Sequence, residues 1–238
     1  MAKKSKNTVS AKRQYDKSST YSPEDAAGLV RSMAFAKFDE SVDVVFSLGI
    51  DARKADQLVR GTVSLPHGTG KEVRVAVFVG GELLAEAEEA GADIVGGKDL
   101  AEEIAAGRDL DFDLAIAAPD MMPHVGKLGS ILGPRGLMPN PKSGTVTKDI
   151  GKTVKEFKAG KVEYRNDRYG NVHVPIGKAS FESEQISGNL VALADEILRA
   201  RPAATKGRFV QKVTISSTMG PGVNIDTGLL EDAVKAIR

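Results

Sequence analysis

Val73-Arg74-Val75-Ala76-Val77-Phe78-Val79, closed by Gly80-Gly81, is a nearly continuous apolar run, followed by a helical pattern from Glu82 to Ala90 that stops at Gly91. The rhythm then repeats. Ala92 to Val95 reads as a short strand, Leu100 to Ala106 as a helix closed by Gly107, and Leu114 to Ala118 as another buried strand. Continuous apolar strands need cover on both faces, and strands that alternate with helices pair in parallel. The middle of the chain, residues 69–160, is therefore expected to be a parallel sheet sandwiched between helices. Further helices are expected near Met122 to Leu132 and Ile150 to Lys158, with Gly160 as the close.

The flanks follow a different rhythm. Ser22-Pro23-Glu24-Asp25 offers an N-cap, a proline at the first helical position and early acids that suit the helix dipole, so a helix should run to about Ala36. Val42, Val44, Phe46, Leu48 and Ile50 alternate with Asp43, Val45, Ser47 and Gly49, the pattern of a half-buried strand. A short helix around Ala55 to Val59 leads to Thr62-Val63-Ser64-Leu65. The turn-rich Pro66-His67-Gly68-Thr69-Gly70 then reads as a hinge, matched at the other junction by Gly160. Beyond it, Lys161 to Arg165 and Asn171 to Ile176 flank a turn and predict a hairpin. Ile186, Leu190, Leu193 and Ile197 share a helical face, Pro202 stops that helix, and Phe209, Val213 and Ile215 mark a strand. Thr227 to Arg238 reads as an additional C-terminal helix. Neither flank has enough elements for its own core, and an isolated hairpin is marginal in water. Residues 21–68 and 161–238 should therefore fold together, with an extension after about 226, while 69–160 is inserted between them.

The chain of 238 residues exceeds one typical domain of roughly 100 to 150 residues. No apolar run approaches the roughly 18 residues of a membrane helix, and the Lys-rich start lacks a signal peptide's apolar stretch; a cytoplasmic protein with no membrane partner is expected. There are no cysteines, and His67, His124 and His173 lack ligand spacing, so no metal is expected. The net charge of +1 is uneven. Residues 69–160 hold 11 Lys/Arg against 15 Asp/Glu, net −4, and the flanks hold 22 against 17, net +5. The flank excess lies within residues 1–20, where Lys3, Lys4, Lys6, Lys12, Arg13 and Lys17 face only Asp16. That segment is read as a flexible basic tail, being poor in apolar residues. Bulk charge alone does not reveal nucleic-acid binding.

The most unusual stretch is Met121 to Thr145, rich in Gly, Pro and Lys/Arg. Its plain reading is a connection whose glycines satisfy tight turns, and its other reading is an exposed loop that meets phosphate; it lacks the Gly-Lys-Ser/Thr ending of a Walker loop. Within it, Leu128-Gly129-Ser130-Ile131-Leu132-Gly133-Pro134-Arg135-Gly136-Leu137-Met138-Pro139-Asn140-Pro141-Lys142 resembles the signature of the family of the large-ribosomal-subunit protein number one. Ala36 to Glu40, Arg60 to Gly68, Tyr164 to Asp167 and Ser217 to Pro221 match the same family in order, over roughly residues 20 to 225.

The resemblance implies an α/β protein with a split-βαβ (ferredoxin-like) α+β domain built from both chain ends and an inserted Rossmann-like three-layer α/β/α domain. It implies a non-enzymatic ribosomal protein that binds 23S rRNA at the mobile stalk of the large subunit and helps release deacylated tRNA from the exit site. It also implies repression of translation through its own operon mRNA. No cofactor and no small-molecule substrate is implied. The RNA-contacting residues carried over are Lys37, Phe38 and Ser41 near the first strand, and Thr218, Met219, Gly220 and Pro221 near the last, with His173 and Lys178 as outlying candidates. A threonine hydroxyl suits a ribose, a lysine suits a phosphate, and a glycine admits the RNA backbone. Locally, Phe38 also reads as a core aromatic beside Phe35, Thr218 to Pro221 as a strand-end turn, and His173 and Lys178 as plain strand positions. The hinge expectation comprises Pro66, Gly68, Gly70 and Gly160.

Two rival classes are weighed against this one. A nucleotide-dependent enzyme would need G-x-G-x-x-G after Val79; instead Glu82, Glu86, Glu88 and Glu89 load the next helix with charge that repels a pyrophosphate. A protein-interaction scaffold would bind through the acidic middle, and its binding would not depend on the flanks.

Overall fold

The computed structural model describes residues 6–81 and 83–237. In chain order its elements are α1 (Lys6–Ala11), α2 (Pro23–Met33), β1 (Ser41–Leu48), β2 (Arg60–Ser64), β3 (Val75–Phe78), α3 (Leu83–Glu89), β4 (Ile94–Gly96), α4 (Lys98–Ala105) and β5 (Leu114–Ala117). There follow α5 (Met122–Val125), α6 (Gly129–Leu132), α7 (Ile150–Lys158), β6 (Lys161–Arg165), β7 (Asn171–Lys178), α8 (Ser183–Arg199), β8 (Val210–Ser217), β9 (Val223–Ile225) and α9 (Thr227–Ile237). They divide into two compact units, Met1–Lys71 with Val162–Arg238, and Glu72–Lys161.

The first unit rests on an antiparallel sheet in the order β7-β1-β8-β9. Along β1, Val42, Val44, Phe46 and Leu48 are buried, while Ser41, Asp43, Val45 and Ser47 stay half-exposed. The alternation seen in the sequence thus separates a core face from an open one. Ala26, Ala27, Val30 and Met33 of α2 and Ile186, Leu190, Leu193 and Ile197 of α8 join the core of this unit. Burying each large aliphatic of that set contributes about 1.5 to 3 kcal/mol. The helices start as their sequences dictate. Asp25 N donates to Ser22 Oγ at 3.1 Å ahead of Pro23, and Glu182 and Gln185 cap one another at the head of α8. Both ladder partners of β1 come from the C-terminal flank, so this sheet exists only when the two chain ends fold together.

The second unit is a parallel sheet in the order β4-β3-β5. Central β3 is buried at every residue, as a strand covered on both faces must be. Its helices pack as two groups, α3 with α7 and α4 with α5. Asp93 ties the sheet to a helix: its Oδ2 accepts from Val75 N at 2.8 Å and pairs with Lys158 Nζ at 3.1 Å. Together the units make a mixed α/β fold of the expected class, a split antiparallel unit interrupted by a parallel one.

Three local expectations are corrected. The segments 161–165 and 171–176 do not form a hairpin ladder. Their turn closes, with Asp167 N donating to Asn171 O at 2.7 Å, and one bridge joins Asn166 to Val172, but β6 pairs with β2 and β7 pairs with β1. Buried Asn166 diverts the chain: its Oδ1 accepts from Val59 N and its N donates to Val59 O, both at 2.9 Å. The helix expected over 122–132 is broken into α5, a 3-10 turn over Gly126–Leu128 and α6, because Gly126 and Gly129 weaken helical propagation. The tail expected to be flexible over 1–20 carries α1 from residue 6 and packs Ala11 into the core; Met1 to Ser5 lie outside the described residues, as do Glu82 and Arg238.

At the expected hinge, Gly68, Gly70 and Gly160 have positive φ of 65°, 68° and 111°, and Pro66 is exposed. Fully buried Asn189 holds the first of these segments. It accepts from His67 N at 3.0 Å and donates to Gly68 O and Ile176 O, each at 2.8 Å.

Candidate nucleic-acid interface

The start of β1, the end of β7 and the end of β8 meet at one edge of the split unit, because Ser41 pairs with Lys178 and Val42 with Ser217. The connection from α2 to β1 (34–40) and the turn from β8 to β9 (218–222) are therefore neighbours. A single buried carboxylate joins them. Glu40, 1% exposed, accepts from Phe35 N at 2.9 Å and Ala36 N at 2.8 Å through Oε1, and from Met219 N at 3.0 Å through Oε2. Burial raises its carboxyl pKa, but hydrogen bonds from the Ser217 hydroxyl and from the Met219, Ala36 and Phe35 amides outweigh that and hold it below the ordinary value. It stays ionised inside the protein because its donors replace water.

Around Glu40 the backbone is closed further. Ser41 N donates to Thr218 Oγ1 at 3.0 Å, the Thr218 hydroxyl donates to Ser41 O at 3.2 Å, and Thr218 N donates to the same carbonyl at 3.0 Å. Gly220 N donates to Ser217 Oγ at 3.1 Å. Lys178 Nζ donates to Ser41 Oγ at 2.9 Å, and Ala179 N donates to Glu40 O at 2.8 Å. Asp39 extends the same clasp, accepting from Ser180 N at 3.1 Å and Ser180 Oγ at 2.8 Å.

What projects from this rigid base is apolar and cationic. Phe38 is 57% exposed and Met219 54% exposed, two large apolar side chains carried by segments that the same carboxylate joins. The reading of Phe38 as a core aromatic is thereby excluded. Lys37 is exposed beside them. Thr218 to Pro221 is indeed a strand-end turn, and one that presents Met219 outward. Two carried-over roles need adjustment: the Thr218 hydroxyl is already engaged with Ser41, and a Cβ on Gly220 would meet Ser217 Oγ, so a side chain there would have to displace that hydroxyl. His173 does not join the cluster. It sits opposite Val45, four residues or about 13 Å along the sheet, exposed and 3.6 Å from Asp167.

Glu40 and Ser217 are the contributors that sequence reasoning overlooks. Both lie inside quoted motifs, yet their partners are 177 to 179 residues away or belong to backbone amides, which leave no mark in a pattern. Among the described residues no group of three His, Cys, Asp or Glu could hold a metal, and no helix is long and apolar enough to cross a membrane.

The model of the family described as "Ribosomal protein L1p/L10e family" matches residues 30–221. The chain is 57% identical over 231 residues to the "Large ribosomal subunit protein uL1" of Cutibacterium acnes, covering 97% of this chain and 99% of that protein. It is 52% identical over 234 residues to the protein of the same name from Thermobifida fusca, with 98% and 99% covered. With that from Thermosipho africanus it shares 52% over 230 residues, with 97% and 99% covered.

Proposed function

The chain belongs to the ribosomal protein L1p/L10e family, and from that premise we propose that its split unit docks large-subunit rRNA on the face around Glu40. The protein is a structural, non-enzymatic component of the large subunit of the cytoplasmic ribosome. The finer reading is that the RNA is a bulged helical region of 23S rRNA at the mobile stalk. Mounted there, the protein aids departure of deacylated tRNA from the exit site. The same face accepts a similar fold in its own operon mRNA and represses its translation.

One observation carries the reading: Phe38 and Met219, both exposed, stand on backbone segments tied to one buried carboxylate. Such a pair, on a backbone already fixed, can pack against sugars and bases with only its side chains left to order, while Lys37 and Lys178 are placed for phosphates and Ser41, Thr218, Gly220 and Pro221 shape the contact. His173 lies farther along the same open face and would touch only an RNA that extends along the sheet. Pro66, Gly68, Gly70 and Gly160 are proposed as the hinge between units.

The test is a filter-binding titration of the full chain with a 23S stalk fragment, an operon leader RNA and an unrelated RNA duplex. Phe38→Ala and Met219→Ala should each weaken stalk binding by about 1 to 3 kcal/mol, the range for losing one stacked base, with little change in melting temperature. Equal affinity of both variants and the parent protein would reject the face.

A further inference from the structure

We propose that the basic segment 6–20 is a second RNA-contacting element, a docked arm that brings cations to phosphates beside the Thr218–Pro221 turn. It rests on the reading of that turn as an rRNA contact. Neither the family resemblance nor the family model, whose match begins at residue 30, assigns this segment a role.

Charge poses the question. RNA is a dense polyanion, and association with it draws strongly on lysine and arginine contacts to phosphate. Yet of the flanks' 22 Lys/Arg and 17 Asp/Glu, residues 1–20 hold 6 and 1, which leaves 16 against 16 for the rest of the split unit. Taken as a whole, the rest of the split unit carries no net charge without its arm.

Placement answers it. Tyr15 OH donates to Gly222 O at 3.2 Å, directly after the turn. Asn224 Nδ2 donates to Lys17 O at 3.1 Å, and Tyr21 N donates to Asn224 O at 3.0 Å while Asp226 N donates to Tyr21 O at 2.9 Å. The arm thus runs against β9, the edge strand of the sheet, and Ala11 inserts into the core. Four of its cations, Lys6, Lys12, Arg13 and Lys17, are exposed, and none forms an ion pair among the described residues. The arm's acid, Asp16, is occupied internally, accepting from Ser18 N at 2.9 Å and Ser19 Oγ at 3.0 Å. Covering a sheet edge would by itself require only the backbone bonds and Ala11; four unpaired cations point to an anionic partner.

The experiment measures the salt dependence of binding for the full chain and for K6A/K12A/R13A/K17A, using a 23S stalk fragment and an unrelated RNA duplex as probes. The slope of log affinity against log salt should become shallower by about 2 to 3, and affinity near 0.1 M salt should fall about 10- to 100-fold. Preference for the stalk over the duplex should be unchanged, because phosphate contacts position without reading sequence. Tyr15→Phe, which keeps every charge but releases the tether, should weaken binding about threefold, the effect of one ordinary hydrogen bond. A slope equal to that of the parent protein would overturn the arm as a phosphate contact, and full affinity of Tyr15→Phe would overturn its docked placement. If the parent protein itself shows no stalk preference, the rRNA reading fails instead.

Discussion

Met219 N donates to Glu40 Oε2 at 3.0 Å, joining positions 179 residues apart in the sequence. Glutamine at 40 would keep the shape but turn an amide N–H₂ toward backbone N–H groups that are already donors. Glu40→Gln should therefore destabilise the split unit by about 1 to 3 kcal/mol and weaken stalk RNA binding, without altering the salt slope. Thermal melting and filter binding check this. Acid should act in the same place. The folded carboxyl pKa lies below its ordinary 4.5, so its stabilising contribution is complete above about 4.5 and is lost as pH falls through the folded value. The variant should lack that part of the acid sensitivity in urea titrations at pH 7 and pH 4.

Asp43 behaves in the opposite sense. Burial pushes its carboxyl above the ordinary 3.8, against the pull of Lys178 and His173. The ionised form is thus the costly one, with a penalty absent below 3.8 that appears as pH rises through the folded value. Asp43→Asn should raise the melting temperature at pH 7 and lose that advantage at pH 3.

Gly61 in β2 faces the ring of buried Tyr164. A Cβ there would stand 2.8 Å from Tyr164 Oη and 3.1 Å from Cζ of a ring that is itself buried in the core. Gly61→Ala should cost about 1 to 3 kcal/mol by overpacking, visible as a lower urea midpoint at unchanged m.

Gly220→Ala should act on the Glu40 clasp from its other end. The added methyl displaces Ser217 Oγ, which accepts from Gly220 N and donates to Glu40. RNA affinity should fall about tenfold, one good polar contact's worth. Combining it with Glu40→Gln should cost less than the sum of the two, since both disturb one network; additive losses in a double-mutant cycle would refute the shared clasp.

The architecture was legible wherever local periodicity reports burial. The alternation from Val42 to Leu48 marks an open-faced strand, and the unbroken apolar run from Val75 to Phe78 marks a covered one. What stayed hidden depends on distant partners. Lys161 to Arg165 reads as half of a hairpin because nothing local discloses that Asn166 binds Val59, 107 residues earlier. Residues 6–20 read as disordered because their anchors, Gly222 and Asn224, lie 207 residues downstream. For Glu40, a charge before an apolar strand looks like a solvated one, and its burial follows from amides on two other segments. The proposed contact residues emerged from family resemblance, and geometry then distinguishes the outward Phe38 and Met219 from the inward Thr218 hydroxyl.

The sheet order β7-β1-β8-β9 also governs the protein's birth. The segment 72–161 contains everything its own sheet requires and can mature as soon as it emerges. β1 cannot: between Leu48 and its partner residue Val210 lie more than 160 residues, on the order of ten to thirty seconds of translation. For most of that interval, until β7 (Asn171–Lys178) is made, the nascent chain carries an apolar strand with neither neighbour, and thereafter with one, while its insert is already complete. Chaperone demand and proteolytic loss should therefore concentrate on chains stalled before β8, so the youngest molecules are the most perishable.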